Sequence, residues 1–187
     1  MMRQVFDRQH VASRGSPMPD AAARRASLTT LYDLVRDNAN PFAQASQAVA
    51  LHVTGEVPNH LDLSIADIAA FERRTIHVTD EKGIQAEYSG VPLAEILRKA
   101  GAPLGKEMRG PNMAMGLVAR APDGYQVLFA LAEFDPAFND RVILLADRRD
   151  GKPLNNHEGP LRIIVPRDKR GARWIRGVTT LEVFRGR

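Results

Sequence analysis

The sequence predicts an α+β fold, rich in strand and carrying a few short helices. Three observations lead there. Short alternating or β-branched runs recur from Ala48 to Phe184, Gly, Pro, Asn and Asp punctuate them, and only one segment shows a full helical stripe. No internal repeat is visible.

Residues 1–46 differ from the rest. They are rich in Arg, Ala, Ser and Asp, and only Leu28, Leu31, Leu34 and Val35 recur at helical spacing. An irregular tail with one short helix over Ser27–Arg36, capped by Ser27, is expected. Pro41-Phe42-Ala43-Gln44-Ala45 resembles the small-residue end of a signal peptide. Arg24, Arg25, Asp33, Arg36 and Asp37 nevertheless interrupt the apolar stretch that export requires, so the sequence as written has no export signal.

A domain is expected over 47–187. Val49, Leu51 and Val53 alternate with Ala50, His52 and Thr54, which describes a half-buried strand, and Gly55 with Pro58-Asn59 turns the chain. Ser64-Ile65-Ala66-Asp67 has the spacing of a capping box, so a short helix follows as far as Phe71. Thr75–Thr79 and Ile84–Tyr88 read as a hairpin about the Asp80-Glu81-Lys82-Gly83 turn. Pro92 suits the first turn of the clearest helix, whose Leu93, Ile96, Leu97 and Ala100 form one apolar stripe, with Arg98 and Lys99 in the last turn and Gly101 as the stop. Strands are then expected at Met115–Arg120, Tyr125–Leu131, Val142–Ala146, Leu161–Val165 and Val178–Phe184, with turns at Asp123-Gly124 and Asp150-Gly151.

Composition removes several kinds of chemistry. The 187 residues contain no Cys, which excludes disulfides, thiolate metal sites, iron–sulfur clusters and cysteine nucleophiles within this sequence. No apolar run approaches the ~18–20 residues of a membrane span. Dinucleotide, P-loop and nucleophile-elbow glycine motifs are absent, and the five His residues show no H-E-x-x-H spacing. His52 and His77 read as structural or surface residues. Asp80/Glu81 and Glu133/Asp135 lie in turns or at strand ends and give no sign of a shared pocket.

Charge is distributed unevenly. Residues 141–187 hold 12 Lys and Arg against 5 Asp and Glu, while residues 1–140 hold 14 against 17. The tightest cluster is Arg162, Arg167, Lys169, Arg170, Arg173 and Arg176, with Asp168 its only opponent, and it includes the sole Trp, Trp174. Arginine forks suit oxyanions, so this loop reads either as an anion site with Trp174 beside it or as a solvated basic loop whose Trp is core. One aromatic among the cations gives no stacking platform, so no nucleic acid partner is expected. His157, in the loop just before the basic segment, is a candidate for facing the ligand. Asp123 and Tyr125 are assigned to turn and core.

Four segments in order resemble one family. They are Leu51-x-Val53-x-Gly55-x-Val57 with Leu63-Ser64-Ile65-Ala66-Asp67-Ile68; Tyr88-Ser89-Gly90-Val91-Pro92-Leu93-Ala94-Glu95-Ile96-Leu97 with Ala100-Gly101; Asp123-Gly124-Tyr125; and Leu144-Leu145-Ala146-Asp147 through Asp150-Gly151-Lys152-Pro153-Leu154 to Gly159-Pro160-Leu161-Arg162-Ile163-Ile164-Val165-Pro166. Together, over about residues 48–184, they resemble the molybdopterin-binding domain of the sulfite oxidase family of oxidoreductases. Arg173-Trp174-Ile175-Arg176 resembles the family's basic segment near the pterin and its phosphate.

The resemblance implies a mixed, β-rich molybdopterin-binding fold, a bacterial-type periplasmic setting, and a pterin or other anionic ligand. The expected ligand residues are Arg173, Arg176, Lys169 and Arg167, with His157 and Asn156 lining the pocket. Catalytic members hold molybdenum through a Cys on the strand that here reads Thr75-Ile76-His77-Val78-Thr79. Neither His77 nor Thr79 replaces a soft thiolate, so molybdopterin without molybdenum, and no family-type sulfite oxidation, is the expectation. Two rival readings stand beside it: an oxidoreductase with a non-thiolate metal site, and an interaction domain for an acidic protein partner.

Overall fold

Alternating apolar side chains build the first sheet. In the computed structural model, which describes residues 48–79 and 83–186, β1 (Val49–Gly55) turns Leu51 and Val53 fully inward and His52 outward. β2 (Leu61–Ser64) pairs antiparallel on one side of β1, and β10 (Thr180–Arg185) pairs parallel on the other. β5 (Met115–Arg120) and β6 (Gln126–Ala130) complete the order β2-β1-β10-β5-β6. The second sheet follows β3 (Arg74–Thr79), β4 (Gln85–Pro92), β7 (Leu144–Arg149) and β8 (Lys152–Pro153), with β9 (Arg162–Ile164) also on β7. The architecture is therefore α+β, mixed and strand-rich, with two α-helices among the described residues.

Local chemistry explains both helices. At α1 (Ile65–Ala69) the Asp67 amide donates to the Ser64 hydroxyl at 3.1 Å, and the Ser64 amide donates to the Asp67 carboxylate at 2.9 Å. α2 (Leu93–Ala100) buries Leu93, Ile96, Leu97 and Ala100 and ends at Gly101, whose φ of 82° is left-handed. Leu93, Ile96 and Leu97 belong to a cluster of buried residues that also takes in β1, β4, β5, β7 and β10. Each such side chain contributes about 1.5–3 kcal/mol relative to exposure.

The differences from expectation are local. Pro92 ends β4 and caps α2 rather than entering its first turn. β2 was concealed, because Leu61-Asp62-Leu63-Ser64 reads as the approach to a cap. β7 extends through Asp147-Arg148-Arg149, beyond the apolar run, because β4 and β8 keep pairing with it there. Tyr125 is 48% exposed and lies outside the core, contrary to its assignment. The expected helix at Ser27–Arg36 and turn residues 80–82 lie outside the described residues.

One backbone approach deserves a glycine. The β4–β7 register shifts between Ser89 and Gly90, and a Cβ on Gly90 would lie 2.0 Å from the Leu145 carbonyl oxygen. Gly90→Ala is thus expected to cost about 3 kcal/mol in urea unfolding, since strands rather than a side-chain tip must move. Ser64→Ala is expected to cost about 1 kcal/mol through the lost cap. The hydrogen bonds from Ser64 hold the Asp67 carboxyl below its ordinary range. That contribution is full above the unfolded carboxylate pKa of about 4 and fades as pH falls through the depressed folded value, so the gap between wild type and Ser64→Ala should shrink in acid.

Candidate functional site

β4 alternation places Ala86 and Tyr88 on one buried face, and this face begins a cleft of about 640 Å³. Val78 and Thr79 of β3 and Ile84 add its apolar side. Tyr125 stands at the β5–β6 turn, and Asp168, residues 170–172 and residues 174–176 also line the cleft. Trp174 meets Tyr88 edge-on, with ring centroids 6.3 Å apart, and its indole N–H donates to the Val165 carbonyl at 2.8 Å. Trp174 is therefore buried and also lines the cleft.

Two arginines face this aromatic pair. Arg149 from the end of β7 and Arg162 from β9 each lie 5.7 Å from the Tyr88 ring centroid, and Arg162 lies 5.8 Å from that of Trp174. Arg162 donates to the Tyr88 hydroxyl at 3.2 Å. Glu158 sits between the guanidiniums and accepts from Nη1 of both, from Arg149 at 3.2 Å. Burial pushes the Tyr88 phenol up, against the opposing pull of Arg162. Burial also works against charge on Arg149, but Tyr88, Glu158 and Asp150 outweigh it and hold the guanidinium protonated.

The basic loop is fixed by a separate ion network. Arg173 clasps Asp168 with two bonds, Nε to Oδ2 and Nη2 to Oδ1, both 2.8 Å, and reaches Glu133 at 2.9 Å with Nη1. Arg141 donates to the same Asp168 at 3.1 Å and also pairs with Glu133. The hydrogen bonds from Arg173 to Asp168, followed by those to Glu133, hold this guanidinium charged well above its ordinary range. Arg173 also covers the Phe129 ring at 5.2 Å. Across the loop, the Tyr125 hydroxyl donates to the Ala172 carbonyl at 2.7 Å.

The six residues expected to meet a ligand therefore separate. Arg176 lines the cleft, and His157 contacts it. Arg173 is turned onto carboxylates, while Arg167, Lys169 and Asn156 are exposed outside the lining. Arg149, Tyr88, Glu158, Arg170 and Tyr125 are at the cleft without having been singled out as ligand residues. Tyr88 had a signal, namely its place on the buried face of an alternating strand. Arg149 had none, because the strand that carries it continues past its apolar stretch. His52 pairs with Asp62 at 2.6 Å and His77 with Glu87 at 3.5 Å, both on exposed sheet faces.

Arg173→Ala is expected to lower the urea-unfolding free energy by about 1–3 kcal/mol, since it leaves the largely buried Asp168 and Glu133 carboxylates to Arg141 alone while some solvent still reaches them. Arg173→Lys should recover less than half, because an ammonium cannot make the two-pronged contact. A loss under about 0.5 kcal/mol for Arg173→Ala would remove the network's structural role.

The family described as "Oxidoreductase molybdopterin binding domain" matches residues 39–187. No curated protein matches the sequence. Among solved structures, the fold is similar to the sulfane dehydrogenase SoxCD from Paracoccus pantotrophus, with a TM-score of 0.58 and 22% identity over 74% of this chain. The match spans 39% of that chain. With the family matched across most of its length and its two-sheet fold in place, this chain belongs to the oxidoreductase molybdopterin binding domain family.

Proposed function

We propose that the domain binds a pterin or another small anionic ligand in the Tyr88–Trp174 cleft, without thiolate-held molybdenum and without family-type redox catalysis. The observation that carries this reading is an arginine-lined, aromatic-walled cleft in a sequence with no Cys.

The organic part of a molybdopterin suits these residues. Tyr88, Trp174 and Tyr125 offer faces and edges to a flat ring, and Arg170 and Arg176 offer forks to a phosphate. His157 supports Arg176, while Arg167 and Lys169 add positive field outside the lining. Arg173 and Arg141 hold the wall in place.

The metal does not suit them. A soft thiolate fixes molybdenum in the resembled family, and here β3 brings Val78 and Thr79 to the cleft instead. Among the described residues, no group of three His, Asp or Glu side chains is placed to hold an ion. No redox step is assigned to this chain.

Binding can be followed through Trp174, the single Trp. Titration with pyrophosphate should change its emission with a saturable curve. Arg170→Ala/Arg176→Ala should weaken that binding at least tenfold, equivalent to about 1.4 kcal/mol. Unchanged affinity in the double variant, or no binding by the wild type, contradicts the reading. Capture of an acidic peptide by the wild type under those conditions would instead support the interaction-domain alternative.

A further inference from the structure

A buried carboxylate already sits on the two arginines at the floor of the cleft. The Glu158 side chain is 10% exposed, against 15% for Arg162 and 34% for Arg149. Its Oε1 takes an Nη1 donor from each guanidinium, and its Oε2 receives the Asn155 side-chain amide at 3.3 Å. Both guanidiniums flank the Tyr88 ring, and Arg149 keeps about a third of its side chain exposed.

This pairing leaves one donor unmet. The two guanidiniums share one carboxylate oxygen, Arg149 also meets Asp150 at 3.4 Å and Arg162 the Tyr88 hydroxyl at 3.2 Å, yet the buried Arg162 Nε–H has no hydrogen-bond partner among the described residues. A buried donor without an acceptor is destabilising, and the tethered carboxylate does not relieve it. Paired guanidiniums over an aromatic ring are suited to an oxyanion with more oxygens, or a freer approach, than Glu158 offers.

We propose that Arg149, Arg162 and Tyr88 form a latent oxyanion site, fit for a carboxylate, phosphate or sulfate group, and that Glu158 is its built-in occupant. Glu158 thereby sets the specificity of the cleft. An incoming anionic group is repelled from the floor and directed to Arg170 and Arg176, leaving a neutral ring to face Tyr88. This deepens the proposed anion-binding role and rests on it.

The test is chemical rescue. Glu158→Ala should be less stable than wild type in chloride, and acetate or inorganic phosphate at constant ionic strength should restore its melting temperature along a saturable curve. The wild type, whose Arg149–Arg162 pair already holds Glu158, should gain less than the variant from either anion. Acetate fits the deleted side chain, whereas phosphate also offers further oxygens, so the relative strength of the two identifies the preferred oxyanion. Glu158→Ala/Arg149→Ala should lose the rescue. Glu158→Gln, which keeps the shape and removes the charge, should bind pyrophosphate at least tenfold more tightly than wild type.

If Glu158→Ala does not fold in chloride, it is expected to refold in acetate or phosphate. Failure of both anions to stabilise or refold it, rescue retained in full by the double variant, or unchanged affinity in Glu158→Gln overturns the inference. Dependence of wild-type pyrophosphate binding on Arg170 and Arg176 is a separate readout. Its loss with rescue intact refutes the proposed function, and the reverse result refutes only the latent site.

Discussion

Three carboxylates in and beside the cleft are each held by two guanidiniums. Glu158 sits between Arg149 and Arg162, and Glu133 and Asp168 sit between Arg141 and Arg173. Burying charge away from water is tolerated only where opposite charge and hydrogen bonds replace hydration. These pairings therefore fix where the chain can run. One set locks the loop after β9 against the 3₁₀ turn at Leu131–Phe134, and the other fixes the floor of the cleft. The positive charge left over is carried chiefly by side chains at the mouth and outside it.

The sheets supply the rigid frame that these pairs need. β4 carries Tyr88 inward by simple alternation, and its shift at Ser89/Gly90 brings β7 close enough for Arg149 to reach the same ring. β9 then sets Arg162 beside it through pairing with β7. Parallel pairing of β1 with β10 joins the beginning and end of the described domain in one sheet. The cleft is thus assembled from β3, β4, β7, β9 and the loops beyond them, so its geometry is a property of the fold rather than of one loop.

Much of this frame was legible in the amino-acid order. The Ser64–Asp67 cap, the stripe of α2, the β1 alternation and the Gly101 stop all follow from short-range chemistry. The candidate site was less legible, because charge density along a chain does not say where guanidiniums point. Arg173 stands next to Trp174 in sequence, yet its fork meets Asp168 from the same loop and Glu133 from forty residues earlier. Glu158 and Arg149 meet only because a strand and a loop fold together. Tyr125 follows an Asp-Gly turn, and nothing local reveals that its hydroxyl reaches Ala172. Family resemblance identified the scaffold, whereas long-range pairing decided which arginines line the cleft.

The central claim is that this scaffold keeps an anion-receptive cleft while lacking the sulfur that would fix a metal there. It is tested most directly by producing the full chain in a host that makes molybdopterin and measuring, on one preparation, molybdenum per chain and the small molecules released on denaturation. The account predicts a released pterin or other anionic compound with molybdenum far below one equivalent. Near-stoichiometric molybdenum that survives dialysis and supports turnover would contradict it.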